Sequence, residues 1–477
     1  MIKQTVTKDW HSTAIENLAR LPINEKIYRQ YKPLHDIIYE QLNKSLSILK
    51  DSKDELERAK YKDFEDILAF WHLYKRKTYE RKDNHFGYPL HMKERSFLVD
   101  FFRIMESLEV AQNNVADIHD TPIEHVDISE CVKTAGSNYS LDTKSIEWDV
   151  VRLIAENLGL PKQPELQTIK KNPEKYKDGY WGYVTSGGTE GNFWGINQGF
   201  YQYPNGILYF SEGAHYSIPK AGKDRHFQVI PQTSADDEAI DVHVLIESVK
   251  ANWNNMRKPA IIALTVGTTK FGAIDDVGAI KRQLKEMQIP HYIHVDAALT
   301  GGIPRNQLFA PKFGSIDDWG YNSVSVSLHK YLGYPATKGV LISTRKPTGN
   351  FIDYIGQDDN TVLGSRDVPA FSLRQQVMEV LKYSEPQEYI RNINIFEGLL
   401  ESANLNYNLW TDGINKGNIF VFKVDKEAPN YGGICRRWQC SEFVGKDGIN
   451  RIHIVIFSTH SIQNMQLLVN DIAKIVI

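Results

Sequence analysis

Residues 181–192 have the sequence WGYVTSGGTEGN, an apolar run that continues through Ser186, Gly187, Gly188 and Thr189 into a segment of helical composition. The stretch predicts a β-strand, a glycine turn and the N-terminus of a helix. Glycine lets the backbone approach an anion closely, and the unbonded N–H groups at a helix N-terminus favour phosphate. The stretch matches neither the Walker motif nor G-x-G-x-x-G, so alone it fits an ordinary tight turn equally well.

Short apolar runs rich in Val, Ile and Tyr recur from about residue 145 and alternate with segments of helical period. This alternation predicts an α/β fold with a mostly parallel sheet covered by helices. The predicted strands lie at 181–185, 207–210, 260–265, 292–295, 323–326 and 340–344. Ligands of open α/β sheets bind beyond the carboxyl ends of the strands, and unusual polar residues directly follow most of these strands.

Three regions differ in texture. Residues 1–110 are polar and predicted to be a helical N-terminal segment, residues 111–384 hold the predicted sheet, and residues 385–477 form a smaller C-terminal α/β domain. In this last region the predicted elements are strands at 419–424 and 451–457 and an amphipathic helix at 462–477.

Composition excludes several classes of partner. The 477 residues are 42% hydrophobic with a formal net charge of −3, which is typical of a globular protein and gives no reason to expect nucleic acid. Three cysteines are too few for a disulfide framework. The first ten residues lack the apolar segment of a signal peptide, and no run reaches the roughly 18 apolar residues that span a bilayer. We therefore expect a cytoplasmic location and no membrane partner.

Polar residues follow three further predicted strands. His215, in SEGAHYS, follows the strand at 207–210, and Thr269, in LTVGTTKFGAIDD, follows the next strand; neither is remarkable alone. Asp296, in IPHYIHVDAA, ends a strand beside two alanines, which favours a partner for a ring cation. His294 shares a strand face with Asp296 while His291 points to the other face, so we expect no metal site.

A lysine follows the strand at 323–326. The stretch SVSVSLHKYLG places Lys330 beside His329 and three residues after Ser327, and both neighbours are able to reach a phosphate. Lysine forms Schiff bases once its amine is partly desolvated. The order of these features predicts a pyridoxal 5′-phosphate (PLP) site: a glycine loop, then His215, Asp296 and Lys330. That cofactor needs a phosphate anchor, a stacked ring, a carboxylate and an attached amine.

With these residues in place, the chain resembles the group II PLP-dependent amino-acid decarboxylases, in particular the branch of bacterial histidine decarboxylases and plant serine decarboxylases. The resemblance covers about residues 85–477. Its matching stretches are SNYSLDTKSIEWDVV (137–151), WGYVTSGGTEGN (181–192), NGILYFSEGAHYSIPKA (205–221), GTTKFGAIDD (267–276), HVDAALTG (294–301), SVSVSLHK (323–330) and TVLGSR (361–366). It implies PLP fold type I, the aspartate-aminotransferase-like fold, with a mostly parallel seven-stranded sheet and a smaller C-terminal domain, and a homodimer with shared active sites.

The resemblance also implies residue roles. Lys330 bonds the cofactor, Asp296 pairs with its pyridine nitrogen, His215 stacks on its ring, and Tyr354 assists protonation at Cα. The other cofactor-binding residues that it implies are Ser186, Gly188, Thr189, Thr269, Ala298, Ser327 and His329.

Substrate recognition is where the chain departs from this branch. The resemblance places His91 and Ser365 at the substrate, with Ser365 reaching it from the neighbouring subunit. The branch usually has histidine where Asp142 stands, asparagine where His91 stands, and Asn-Gly-His where residues 367–369 are Asp-Val-Pro. We expect an amino-acid substrate with a histidine-like or small polar side chain.

The expected reaction is decarboxylation of an L-amino acid to its amine and CO2, the reaction of a carboxy-lyase. Three alternatives stay open on the sequence. The same cofactor supports oxidative deamination to an aldehyde or transamination; a binding protein could have kept the fold; and a doubly wound nucleotide-binding protein has a similar strand pattern. The intact Lys330, Asp296 and His215 disfavour the binding protein, and the missing fingerprints disfavour the nucleotide-binding protein.

Overall fold

A computed structural model describes most of the chain from residue 143 onward. It covers 143–477 apart from 177, 235–236, 304–319, 348–350, 354–356, 383–385 and 412–415, and before residue 143 it covers 47–48, 50–56, 58–59, 62, 86–87, 99, 103, 106 and 113–115. The chain divides into two units, Met1–Asp83 and Asn84–Ile477. The architecture given below is that of the second unit. Most of the predicted helical segment 1–110 lies outside the described residues, and the predicted boundaries after residues 110 and 384 stay predictions.

Within the described residues, the strands are β1 (Asn113–Val115), β2 (Trp181–Thr185), β3 (Ile207–Ser211), β4 (Phe227–Ile230), β5 (Gln232–Ser234), β6 (Asp237–Ile240), β7 (Ala260–Thr265), β8 (His291–Asp296), β9 (Ser323–Ser327), β10 (Gly339–Ser343), β11 (Phe351–Ile352), β12 (Gln357–Asp358), β13 (Ser365–Asp367), β14 (Asn408–Thr411), β15 (Lys416–Lys423), β16 (Ser441–Val444) and β17 (Asn450–Val455). The helices of the same part are α1 (Lys144–Asn157), α2 (Leu166–Lys171), α3 (Pro173–Tyr176), α4 (Gly188–Gln202), α5 (Ser217–Ala221), α6 (Val242–Met256), α7 (Val277–Glu286), α8 (Ala370–Leu381), α9 (Pro386–Ser402), α10 (Tyr431–Trp438) and α11 (Ile462–Ile472).

The central sheet has seven strands in the order β2-β10-β9-β8-β7-β3-β4. Strand β10 runs antiparallel to both of its neighbours, and the other pairs are parallel. All six predicted strands are present in this sheet, so the mostly parallel α/β fold is confirmed. Their residues are almost all buried, as expected for a sheet covered on both faces.

Strand β4 is the seventh member of the sheet and was not predicted. It pairs with β3 at the edge, and only one of its four residues is buried. An edge strand with such partial burial gives a weak apolar signal, which explains why the sequence pattern passed over it.

The smaller sheet near the C-terminus has four antiparallel strands in the order β14-β15-β17-β16. Helices α9 and α11 belong to the same region and contact each other. This agrees with the predicted smaller C-terminal α/β domain. Among the helices of the described part, none combines the length and the apolar character that a bilayer crossing requires.

Helix α4 lies unusually close to the central sheet. Glycines at 191, 195 and 199 recur at about one helical turn, and a Cβ at these positions would collide with Ser325, His294 and Ile261. The helix therefore brings its first turns directly against the carboxyl ends of β8 and β9. The residues that follow those strands and the start of α4 form the candidate site.

Candidate active site

Lys330 stands in the turn that follows β9 and is half-buried. Burial lowers the pKa of its amine below the usual value, while the nearby Asp296 carboxylate acts in the opposite direction. A lowered pKa leaves more of the amine neutral at a given pH, and the neutral amine is the nucleophilic form. The structure thus gives Lys330 the surroundings that covalent chemistry at a lysine requires.

Asp296 ends β8 and is 4% exposed. Its Oδ2 accepts a hydrogen bond from Asn192 Nδ2 at 2.8 Å, and its Oδ1 accepts one from the Ala298 N–H at 3.1 Å. These two hydrogen bonds fix the direction of the carboxylate oxygens. The carboxylate is therefore both buried and oriented.

His215 follows β3 at the same edge of the sheet. Its Nδ1 lies 2.8 Å from Ser217 Oγ and 3.3 Å from the Ser217 nitrogen. Burial lowers the pKa of His215; Asp296 acts to raise this pKa and Lys330 acts to lower it. Because each of these charges affects the pKa of His215, three of the four predicted catalytic residues lie close enough to interact electrostatically.

The glycine turn before α4 is the predicted phosphate site. Gly187 has a φ of 138°, a conformation that favours glycine, and Gly188 is the first residue of the 15-residue helix. A Cβ on Gly188 would lie 2.8 Å from Ser327 Oγ and 3.5 Å from Ala298 Cβ, and one on Gly187 would lie 3.9 Å from His329 Cε1. The structure therefore brings the helix N-terminus together with three more of the predicted cofactor-binding residues.

The other members of this turn, Ser186 and Thr189, differ in exposure. Thr189 is half-buried in α4, whereas Ser186 is exposed and its N–H donates to Glu190 Oε2 at 2.7 Å. The Tyr183 hydroxyl donates to the other oxygen of Glu190 at 3.0 Å. Glu190 thus closes the turn, a role that the sequence pattern did not reveal.

The remaining predicted residues are exposed or lie outside the described part. Thr269 is exposed after β7, whereas its neighbour Thr268 is fully buried and accepts the Ala273 N–H through Oγ1 at 3.0 Å. Ser365 is exposed on β13. Tyr354 and His91 lie outside the described residues, so their roles stay predictions.

The hydrogen-bonded residues that support Asp296 were not predicted from the sequence. His294 Nε2 lies 2.9 Å from Asn192 Oδ1, and His294 Nδ1 lies 2.8 Å from Ser323 Oγ, so both ring nitrogens have partners in the protein. Burial lowers the pKa of His294 to about 4. Asn192 follows Gly188 by four residues, which places both on one face of α4; this spacing was the signal available in the sequence.

Comparison with known proteins places the chain in a family. The family model described as the pyridoxal-dependent decarboxylase conserved domain matches residues 202–365. Histidine decarboxylase of Acinetobacter baumannii is 31% identical over 319 residues, which cover 64% of this chain and 70% of that protein. Serine decarboxylase 2 of Oryza sativa subsp. japonica is 29% identical over 451 residues, with 92% and 84% covered. The chain belongs to the group II PLP-dependent decarboxylases, and its activity is PLP-dependent decarboxylation of an amino acid.

Solved structures confirm the fold. L-Methionine decarboxylase from Streptomyces sp. 590 matches with a TM-score of 0.64 at 17% sequence identity, over 88% of this chain and 95% of that chain. Mouse CSAD matches with a TM-score of 0.57 at 15% identity, over 82% and 83%. The predicted PLP fold type I is therefore confirmed.

The residues present fit PLP, the cofactor of this family. Burial lowers the pKa of the Lys330 amine, and the charge of the buried Asp296 acts on the pKa of both Lys330 and the His215 imidazole. The N-terminus of α4 has no Cβ at Gly188, and the Ser327 hydroxyl lies close to this position. Amine, carboxylate, aromatic ring and anion site are the four groups that this cofactor requires.

Proposed function

We propose that this protein decarboxylates an L-amino acid with a histidine-like or small polar side chain, releasing the corresponding amine and CO2. The convergence of Lys330, Asp296 and His215 at the carboxyl edge of the central sheet is the observation that supports the proposal most. The relatives named for histidine and for serine, at about 30% identity, support the two substrate classes.

In this proposal Lys330 holds the cofactor covalently. Its lowered pKa favours the neutral amine that can attack a carbonyl carbon. When bound, PLP supplies a protonated aromatic ring that accepts the electron pair left on Cα as CO2 departs. Asp296 holds the proton on the pyridine nitrogen of that ring, and because Asn192 and the Ala298 N–H already orient its oxygens, no reorganisation is needed during the reaction.

In this proposal His215 would supply the aromatic ring that stacks on the cofactor. Its Nδ1 is occupied by Ser217, so Nε2 is the nitrogen available to a substrate carboxylate. Tyr354 returns a proton to Cα. The proposed residues around the cofactor phosphate and ring are Ser186, Gly188, Thr189, Thr269, Ala298, Ser327 and His329.

The substrate contacts and the assembly belong to the same proposal. His91 contacts the substrate side chain, and Ser365 reaches the substrate from a second subunit of a homodimer with shared active sites. The exposure of Ser365 on β13 is compatible with such a contact. We also propose a cytoplasmic location, with no nucleic-acid or membrane partner.

Purified protein loaded with PLP and offered each common amino acid separately tests the reaction and the substrate class. Amine, CO2, aldehyde and hydrogen peroxide are measured in the same samples. We expect amine and CO2 in equal amounts, with histidine or serine among the best substrates. Aldehyde with peroxide, or a keto acid, as the main product would contradict decarboxylation, and turnover confined to large apolar amino acids would contradict the substrate class.

A further inference from the structure

Asn192 links Asp296 to His215. It is 1% exposed near the start of α4, and its Nδ2 donates to Asp296 Oδ2 at 2.8 Å and to Ser217 Oγ at 2.9 Å. An amide nitrogen has two hydrogens, so both are used. The opposite orientation of the amide would place its oxygen against the Asp296 carboxylate, where neither atom has a hydrogen to donate. The orientation of Asn192 is therefore fixed by chemistry.

The amide oxygen of Asn192 can only accept, and it lies 2.9 Å from His294 Nε2. His294 must therefore carry a proton on Nε2. Burial lowers the pKa of His294 to about 4, so at neutral pH this is its single ring proton. His294 Nδ1 then accepts from Ser323 Oγ at 2.8 Å, and Ser323 Oγ accepts from the Tyr292 hydroxyl at 3.0 Å.

These bonds form one chain with a single direction. Donation runs from Tyr292 to Ser323, from Ser323 to His294, from His294 to Asn192, and from Asn192 to Asp296. Hydrogen bonds aligned in this way polarise one another, so each donor strengthens the next. The last donor in this series of hydrogen bonds, Asn192, is directed at the Asp296 carboxylate.

A second branch leads from Asn192 to His215. Ser217 Oγ accepts from Asn192, so its own hydrogen is available for His215 Nδ1 at 2.8 Å. The Ser217 N–H also points to Nδ1, at 3.3 Å. Nδ1 of His215 is therefore the acceptor, and neutral His215 carries its proton on Nε2.

The ring of His294 cannot easily leave this arrangement. A Cβ at Gly195 would collide with it, which shows how closely the backbone of α4 covers the ring. Tyr292 and His294 belong to β8, the strand that also carries Asp296, and Ser323 begins β9. The chain of donors is thus built into one helix and two adjacent strands.

We propose that Asn192 is a positioning residue of the active site: supported from behind by the neutral donor His294, it orients the Asp296 carboxylate, and through Ser217 it sets His215 in the form protonated at Nε2. This inference rests on the roles given to Asp296 and His215 in the proposed function. His294 acts as an uncharged hydrogen-bond donor and takes no part in acid–base chemistry.

Asn192→Ala tests the centre of the network, with Asn418→Ala as the matched control. Asn418 is equally buried at 2% exposed, but its Nδ2 donates to the Ile456 carbonyl in the smaller sheet. In PLP-loaded protein, Asn192→Ala is expected to lower kcat about 10- to 100-fold. It should also weaken PLP binding and shift the pH midpoint of the visible absorbance of the bound cofactor. The control should keep all three values. Wild-type kcat and an unshifted midpoint in folded Asn192→Ala would overturn the inference.

Two substitutions at His294 test the neutral donor separately. His294→Gln keeps an N–H that can donate to Asn192, whereas His294→Phe keeps a ring and removes the donor. We expect His294→Gln to retain most of the kcat and the wild-type absorbance midpoint, and His294→Phe to resemble Asn192→Ala. Equal behaviour of the two variants would overturn the role of the donor.

Ser217→Ala tests the second branch and keeps the inference falsifiable if Asn192→Ala does not fold. It leaves the Asn192–Asp296 bond in place, so the cofactor absorbance midpoint should stay at the wild-type value while kcat falls and the kcat–pH profile shifts. An unchanged kcat–pH profile would overturn this branch. If wild-type protein neither bonds PLP through Lys330 nor releases CO2, the proposed function fails; if it does both and the variants match it, only this inference fails.

Discussion

Two buried aspartates lie near the carboxyl edge of the central sheet, and their hydrogen-bond partners differ. Asp275, after β7, is 1% exposed, and its two oxygens accept the backbone N–H groups of Ile240 and Thr265, both at 2.7 Å. Asp296, at the end of β8, is 4% exposed and accepts one backbone N–H and the Asn192 side chain. Thr265 pairs with Asp296 in the sheet, so the two carboxylates flank the same residue.

Burial alone therefore does not mark a functional carboxylate. Asp275 ties a loop to two strands through the main chain, which is a structural use of a buried charge. Asp296 instead influences two ionisable side chains, because its charge acts to raise the pKa of both Lys330 and His215. Perturbed ionisable groups that affect one another are typical of functional sites.

Removing the amine that faces Asp296 gives the largest expected effect. Lys330→Ala should lose turnover by several orders of magnitude, because no other group holds the cofactor covalently in this account. Lys250→Ala is the matched control, since Lys250 is 51% exposed on α6 and pairs with Glu247. Steady-state amine production measures both. Turnover of Lys330→Ala close to that of the control would contradict the assignment of Lys330 as the residue that holds the cofactor.

The two aspartates are then compared directly. Asp296→Asn should lower kcat about 10²- to 10³-fold, as loss of a preorganised charge partner does. Stability should fall as well, because one of the two donors to Asp296 loses its acceptor. Activity assays and thermal denaturation of the PLP-loaded protein check this. A wild-type rate would mean that another group keeps the ring nitrogen protonated.

Asp275→Asn should lower stability without lowering the rate. One of the two backbone N–H groups loses its acceptor, so the free energy of unfolding should fall by about 2–3 kcal/mol. The kcat per folded molecule should stay near the wild-type value. Urea denaturation monitored by fluorescence, together with active-site titration, gives both quantities. A large loss of kcat without a loss of stability would contradict the difference proposed between the two aspartates.

A buried histidine in the smaller sheet should make the unfolding free energy depend on pH. His453 Nε2 donates to the Gly87 carbonyl at 2.8 Å, and burial lowers the pKa of His453 to about 4. Because the folded pKa lies below the ordinary value near 6.5, this group favours the folded state above that value, and the contribution is lost as pH falls toward 4. His453→Gln cannot titrate but keeps an N–H donor. Between pH 7 and 4.5, the wild type should lose roughly 2–2.5 kcal/mol more unfolding free energy than the variant. Parallel losses would contradict the buried neutral histidine.

The sequence predicted the parts of the molecule that depend on local pattern. Strands buried on both faces appear as apolar runs, and Lys330, Asp296 and His215 each follow such a run. The network behind Asp296 could not be predicted in this way, because it depends on a contact between residues 102 positions apart, Asn192 and His294. Its formation requires the close approach of α4 to β8, which only the folded chain shows.

The most direct test of the central claim is borohydride reduction of the PLP-saturated wild-type protein followed by peptide mass spectrometry. We expect a pyridoxyl adduct on Lys330 in nearly every chain. An adduct on a different lysine, or none at full cofactor saturation, would contradict it.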